Sequence, residues 1–456
     1  MTQDMATAND QMYNQYSAWG QNVAQGVDYV YAQFLWTAQT KYVNAANQLV
    51  MAVDTTTATD EILGYLGAAL AYRAMFYLDM AREYEFLSND AVSSVNSQGQ
   101  DVMGLTVPIV DENTSIEDSR NNSRATRDEM AAFIEGDLKK AEKYVVNLSL
   151  SNKSLPHIDC VYGLYARLYM WTGDYEKAAT YARLAIDNAT AGVMTRNAAL
   201  STTTGFNDAS QWMWGVSITQ ESMVSNLANW ISYASCETLW GYSTPAAGSE
   251  IMIDRSMYDR LSNTDWRKLM WKAPAGSALD GQNTYCDAAL GAELKDYCSL
   301  KFRPAGGNIS DYSVGGEVSY PLMRVEEMYF IEAEAVAHQD PARGRQLLEQ
   351  FMTANRDEQY RCTVSTTDAV VEEIAFQKRI ELWGEGQAFF DIKRLNLPCT
   401  RSYDGSNHLP EEAFNTTGRA AWMNWVIDYY EQIGNYEVSE YNNPDPSDAY
   451  DPIPFN

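Results

Sequence analysis

Arg379, Glu381 and Glu385 set a base and two carboxylates close together in FQKRIELWGEGQAFF. These are the residue types that acid–base hydrolysis uses. On a helix, however, offsets of two and six residues from Arg379 spread them over different faces. The favoured reading is structural: ion pairing and capping around Gly384–Gly386, whose glycines let the chain leave a helix and turn sharply. Glycoside hydrolysis needs two carboxylates roughly 5–10 Å apart. With 61 acidic residues some pair meets that by chance, and no motif selects one. No GxSxG surrounds a serine, and no Walker-type phosphate loop occurs.

Binding chemistry is better represented than catalysis. The chain holds 12 Trp and 30 Tyr, side chains with a flat apolar face and a polar tip. Trp230, Tyr233, Trp240 and Tyr242 sit among Asn229, Ser232, Ser235, Thr238 and Ser243, in sequence that forms no continuous core stripe. A sugar ring has an apolar C–H face and a rim of hydroxyls, and flat rings beside amides and hydroxyls match both. Trp271, Tyr285 and Tyr297, in the next irregular stretch, extend the same candidate platform. Tyr84 and Asn89 open the excursion over 88–123 and are expected on the same side. The competing reading for each ring is an aromatic plug that holds an irregular loop together. Trp212 and Trp214, alternating with Met213, are expected on one face of a strand and packed in the core.

The remaining composition excludes more than it suggests. With 33 Lys+Arg against 61 Asp+Glu the net charge is −28, which repels nucleic-acid phosphates and anionic membranes but leaves neutral ligands such as sugars unaffected. The plainest reading of the acidity is solubility. Three scattered His and six Cys without a CxxC pair argue against a zinc site. Cys286 and Cys298 are close enough in sequence for a local disulfide in an oxidising compartment, with buried free thiols the alternative. Asp445, Asp448 and Asp451 lack EF-hand spacing and read as a solvated tail. No metal and no cofactor is expected. No run of about 18 apolar residues occurs, so no membrane span is expected. MTQDMATAND has neither a basic n-region nor an apolar h-region, so it does not read as a signal peptide.

The elements that must position these residues are helical hairpins. In VYGLYARLYMWTGDYEKAATYARLAID, 161–187, apolar residues recur at helical spacing on both sides of Gly173 and Asp174, and small alanines allow close packing. That pattern resembles a tetratricopeptide-type hairpin. Long helices are also predicted in residues 1–55 and over 61–86. Another starts at Thr126, with Glu129 completing a capping box. A second hairpin is predicted over 321–357, with YPLMRVEEMYFIEAEAVAHQ as its first helix and Pro341 in the first turn of the next. A further helix lies in 367–395. Residues 200–320 are irregular, with short strands and Gly-rich turns. The fold class is mostly all-α. The organisation expected is a single domain over 1–456, with a scaffold over approximately 25–190 and 320–396 and a ligand-side insertion over approximately 200–320.

Four segments, in order, resemble the SusD/RagB family of nutrient-binding outer-membrane lipoproteins. The most specific is IAFQKRIELWGEGQAFFDIKRLN, with Arg379, Glu381, Leu382, Gly384, Glu385, Gly386, Phe390, Asp391, Lys393 and Arg394 at the matching positions. YPLMRVEEMYFIEAEA, LGYLGAALAYRAMFYLDMAREYEF with Arg73, and the hairpin at 158–187 are similar to three further family helices. WVIDYYEQIGN approximates the family's ending without its proline, and the lipid-bearing N-terminal cysteine is missing. The resemblance implies a surface-exposed outer-membrane protein without catalytic activity. It also implies an oligosaccharide or polysaccharide ligand, handed to a SusC-like TonB-dependent transporter. The site residues expected are Trp230, Tyr233, Trp240, Tyr242, Asn229, Trp271 and Tyr285. The rival readings are the same fold binding peptides, a helical-repeat adaptor for a protein partner, and a helical-barrel glycosidase.

Overall fold

The computed structural model describes residues 1–9, 20–222 and 229–455. Labelling the strands and principal helices in chain order, the first part comprises β1 (Met5–Thr7), α1 (Val30–Ala52), α2 (Asp60–Tyr84), β2 (Leu105–Pro108), β3 (Arg124–Thr126), α3 (Arg127–Tyr144), α4 (Ile158–Thr172) and α5 (Tyr175–Asp187). The middle holds β4 (Trp214–Val216), α6 (Trp230–Ala234), β5 (Ile251–Ile253) and α7 (Arg255–Arg260). The last part holds β6 (Tyr320–Met323), α8 (Val325–Ala337), α9 (Pro341–Asn355), α10 (Thr367–Glu381) and α11 (Ala388–Arg394). The mostly helical class expected from the sequence is what the structure has.

Local chemistry sets the helix ends. Thr59 accepts from the Ile62 amide to start α2, with Asp60 and Glu61 in the positive first turn. Thr126 and Glu129 form both halves of the capping box of α3. Gly173, at φ +81°, closes α4 in the left-handed region and lets α5 double back. Pro341 occupies the first turn of α9, where its missing N–H costs nothing.

The helices stack in series: α1 on α2, α2 on α3, α3 on α4, α4 on α5, then α5 on α8 and α8 on α9 and α10. The chain between α5 and α8 leaves this stack and carries the irregular region. Two short antiparallel pairs fasten it, β1 to β5 and β4 to β6, while β2 pairs with β3 within the stretch between α2 and α3. One core runs through the helical stack, and a second lies under the irregular region, where Trp271, Phe302 and Trp383 meet.

Two expectations are corrected here. The hairpin over 321–357 does not begin as a helix, because Tyr320–Met323 is strand β6, with Pro321 opposite Gly215 of β4. Proline disfavours the helical conformation of the residue before it, and pairing takes that stretch instead. Trp212 and Trp214 are both fully buried but do not share a face. Trp212 enters the second core beside Phe206, and Trp214 enters the helical core beside Tyr72. A register shift between Trp214 and Gly215 accompanies this split.

Cys286 is not bonded to Cys298. All six cysteines are free, and the thiol in contact with Cys298 is that of Cys236.

The segment singled out for chemistry is a buried charge network, as its spacing predicted. Glu381 accepts from Arg356 at 2.8 Å and from Arg324 and Arg267 at 3.2 Å each. Glu385 accepts from Lys301 at 2.6 Å and Arg324 at 2.8 Å. Asp265 pairs with Arg267, and Glu326 with Arg324. Arg379 lies apart and binds Asp4, next to β1. Burial alone would raise the Glu381 carboxyl, but Arg356, Arg324 and Arg267 outweigh it and hold it well below the usual range. Removing one partner of such a set strands a charge in the interior. Glu381→Gln is therefore expected to cost about 3–5 kcal/mol of folding free energy, read as a lower midpoint in urea unfolding. An unchanged midpoint would show that the network carries no stability.

Candidate binding cleft

Helix α2 turns one stripe outward: Tyr65, Tyr72, Phe76, Asp79 and Glu83, spaced so that they share a face. Ala68 and Ala69 between them are small and leave room. Helix α1 adds Tyr42 and Leu49. Across from these stand Tyr320 and Pro321 of β6, the Glu385–Gln387 turn and Phe390 of α11. Together they enclose a cleft of about 950 Å³.

Its rings are held in place. Tyr42 stacks on Phe76 at 4.8 Å with 8° between planes. Tyr72 meets Trp214 edge-on at 4.8 Å, and the Trp214 ring N–H donates to the Tyr72 hydroxyl at 3.1 Å. That hydroxyl in turn donates to the Ser154 carbonyl at 2.6 Å. Gly384, at φ +76°, starts the turn behind the opposite wall, and a side chain there would collide with Phe302.

The polar members have mixed character. Arg167 is tied to Glu327 by two hydrogen bonds of 2.6 and 2.8 Å. Asp79 pairs with Arg82. Glu83 accepts from the Gln39 amide at 2.5 Å, and burial, reinforced by Asp79, pushes its carboxyl up to about 8. The cleft thus offers flat apolar faces with acceptors and donors beside them. Among the described residues no cluster of His, Cys, Asp and Glu could hold a metal ion, and no helix is long and apolar enough to cross a membrane.

The expected aromatic flank is arranged differently. Trp271 is fully buried against Trp383, at 5.6 Å and 89°. Tyr285 is buried too, its hydroxyl donating to the Leu269 carbonyl at 2.9 Å. Neither reaches a surface, so both are corrected to core residues: the bridge of Trp271 to Ser299 draws that stretch inward. Tyr84 is likewise buried, against Trp36 and Trp425. Asn229 accepts from the Ser232 amide as the cap of α6. Asn89 accepts from the Ala91 and Val92 amides in a turn.

Trp230 is half-buried. Its ring N–H donates to Val318 at 2.7 Å, and its ring lies edge-on to Phe302 and Tyr320, so it supports the cleft wall from behind. Tyr233 and Tyr242 are half-buried and stacked on each other at 4.9 Å. Trp240 is half-buried beside Gly315, and Tyr297 packs edge-on to Tyr258. Residues 223–228 of this stretch lie outside the described residues. The stripe on α2 was visible in the sequence as aromatic residues at helical spacing, but that signal is shared with ordinary core packing.

These features define a class: a tetratricopeptide-type helical stack with a loop-rich insertion and an aromatic cleft on one side. The sequence pattern of the SusD family matches residues 279–456. Among solved structures, a SusD-like carbohydrate-binding protein from Bacteroides vulgatus shares the fold with TM-score 0.74 and 19% identity, over 97% of this chain and 90% of that one. A SusD superfamily protein from Bacteroides thetaiotaomicron matches with TM-score 0.68 and 18% identity, over 97% and 92%. A laminarin-binding SusD-like protein matches with TM-score 0.66 and 15% identity, again over 97% and 92%. No curated protein matches the chain. The match to the SusD family thus covers the C-terminal part of the chain, residues 279–456, and the chain as a whole has the fold of the SusD-like structures.

The Glu83 environment makes a pH prediction. Its folded pKa lies above the unfolded value, so the native state holds the extra proton between the two. The stability this contributes is complete below the unfolded value of 4.5 and is lost as pH rises through about 8. Glu83→Gln should flatten that part of the stability–pH curve in urea unfolding. A slope identical in both proteins would contradict the assignment.

Proposed function

We propose that this protein binds a glycan or oligosaccharide at the cell surface, without catalysis, and passes it to a TonB-dependent outer-membrane transporter. The observation that carries the reading is the ring-lined cleft on a SusD-type scaffold. Tyr42, Tyr65, Tyr72 and Phe76 offer faces to sugar C–H surfaces, while Asp79, Glu83, Arg167 and Gln387 lie within the same walls to meet hydroxyls. Two proteins of the same fold support it: one is a SusD-like carbohydrate-binding protein and another binds laminarin. The partner and the lipid-anchored location rest on the likeness of residues 279–456 to the SusD family. Exposed apolar side chains on α1, Phe34 and Met51 among them, suit a protein-facing surface. The chain acts here as one domain, a reading supported by β1 and β6 each pairing with a strand of the irregular region.

The flank of Tyr233, Trp240 and Tyr242, with Trp230 and Asn229 behind it, is retained as a second contact surface. Trp240 favours it, because its ring nitrogen is buried without a hydrogen-bond partner among the described residues. A hydrolytic reading has one specific observation in its favour: Glu83, with its raised pKa, lies one turn from Asp79 in the cleft. Against it, Asp79 is engaged by Arg82 rather than facing a free partner.

A glycan array identifies the ligand class, and calorimetry then measures the best hit. Tyr42→Ala removes an exposed ring and with it a stacking contact of about 0.5–1.5 kcal/mol, expected as a loss of roughly 2- to 10-fold in affinity. Trp240→Ala tests the flank in the same titration. Peptide binding with no glycan bound would overturn the glycan reading. New reducing ends on incubation with polysaccharide, abolished by Glu83→Gln, would overturn the non-catalytic one.

A further inference from the structure

Beside the aromatic cleft lies a second cavity, of about 240 Å³. The two share Arg167, Gln387 and Phe390 in their walls. The smaller one is of opposite character, dominated by cationic side chains. Three of its cations are matched by carboxylates in the same wall: Arg127 by Glu85, Arg167 by Glu327, and Lys378 by Asp391. Arg82 is met from outside the cavity by Asp79, and Arg394 by Glu334 from outside and by Asp391, shared with Lys378, in the wall.

Two cations are left over. Among the described residues Lys393 donates to the Glu83 carbonyl alone, at 2.7 Å. Arg419 donates to the carbonyls of Lys393 and Ser88, at 2.6 and 2.7 Å. Neither has an ion-pair partner among the described residues, although both are buried. Nη1 of Arg394 is buried with no hydrogen-bond partner at all. Burial pushes the Lys393 ammonium down to about 7 and also lowers Arg419 and Arg82. Around Glu381 buried charge is closely balanced, with Arg267, Lys301, Arg324 and Arg356 facing Asp265, Glu326, Glu381 and Glu385; Arg124, Arg401 and Lys268 are also buried on backbone carbonyls, but none of them lines this recess. Glu85 acts on both Lys393 and Arg419 at longer range, and Glu83 on Lys393, but cations in a recess without a contact partner remain costly unless something negative enters.

We propose that this recess is a subsite for one anionic substituent, a carboxylate or a sulfate ester, on a glycan whose neighbouring rings lie along the aromatic cleft. The inference rests on the glycan reading and narrows it. Guanidinium forks suit both planar carboxylates and tetrahedral sulfate oxygens. The recess has room for such a group and part of its ring. The net charge of −28 restricts the ligand further. It repels polyanions at long range, but screening over about 8 Å at physiological ionic strength lets the recess act locally. The ligand is then a largely neutral chain with sparse acidic groups.

The test is calorimetry at low salt with glucuronic acid, glucose 6-sulfate, glucose and inorganic sulfate. Either acidic sugar is expected to bind at least about 10-fold more tightly than glucose, with the advantage shrinking as NaCl is added. Which of the two binds better separates the carboxylate and sulfate sources. Arg419→Gln should erase the preference. Because Arg419 also ties down backbone carbonyls, Thr172→Glu is the second variant. Thr172 is half-buried in the cavity wall, and a glutamate there adds negative charge without removing any ion pair, at the loss of only a long 3.4 Å hydrogen bond to the Tyr169 carbonyl. Equal affinity for acidic and neutral sugars, or a preference untouched by Thr172→Glu in folded protein, would overturn the subsite. If neutral oligosaccharides still bind in that case, the glycan reading stands alone. If sulfate binds while every glycan fails, both assignments fall.

Discussion

The structure depends on one constraint: the carboxylate of Glu381 must be surrounded by arginines brought from three separate parts of the chain. Arg267 comes from the irregular region, Arg324 from the start of α8, and Arg356 from the end of α9. None of these guanidiniums is accessible to water, so each must find its partner inside. Such a set contributes less net energy than its short distances suggest, because desolvation opposes it. What it contributes is geometry, since only one arrangement of these segments satisfies every charge. The Gly384–Gly386 turn follows directly from it: Lys301 binds the carbonyls of Glu381 and Trp383 and the carboxylate of Glu385 together. The wall of the cleft is therefore an extension of the buried network.

The sequence was legible where the local rule and the tertiary outcome agree. The hairpin at Gly173, the capping box at Thr126 and Pro341 in the first turn of α9 are local chemistry, and each is found as read. The charge cluster around Glu381 was also legible as structural, since its spacing ruled out a shared helical face. The start of the second hairpin was not, because the strand Tyr320–Met323 exists only through pairing with a segment about a hundred residues earlier.

The candidate cleft was the least legible part. Trp271 and Tyr285 have the same composition around them as an exposed loop would, and only long-range bridges draw them inside. Conversely, Tyr65, Tyr72 and Phe76 have the periodicity of a core helix. They line a cleft because the segment that faces them, β6 and the turn after α10, stands away from α2 instead of packing on it. No window of sequence contains that distance. Trp271 and Tyr285, in irregular sequence, are thus core residues, while Tyr65, Tyr72 and Phe76, on a helix, line a cleft.

One small feature governs how the cleft can behave. Strand β4 touches both of its sides: Trp214 donates to Tyr72 on α2, and Val216 lies opposite Tyr320 of β6. This short strand works as a strut that fixes the aperture like the jaw of a set calliper. Opening the jaws means breaking a buried contact, so the shape awaiting a ligand exists before the ligand arrives. Recognition by a rigid gauge of that kind loses little freedom on association, and it rejects an oversized guest by steric exclusion rather than by slow rearrangement.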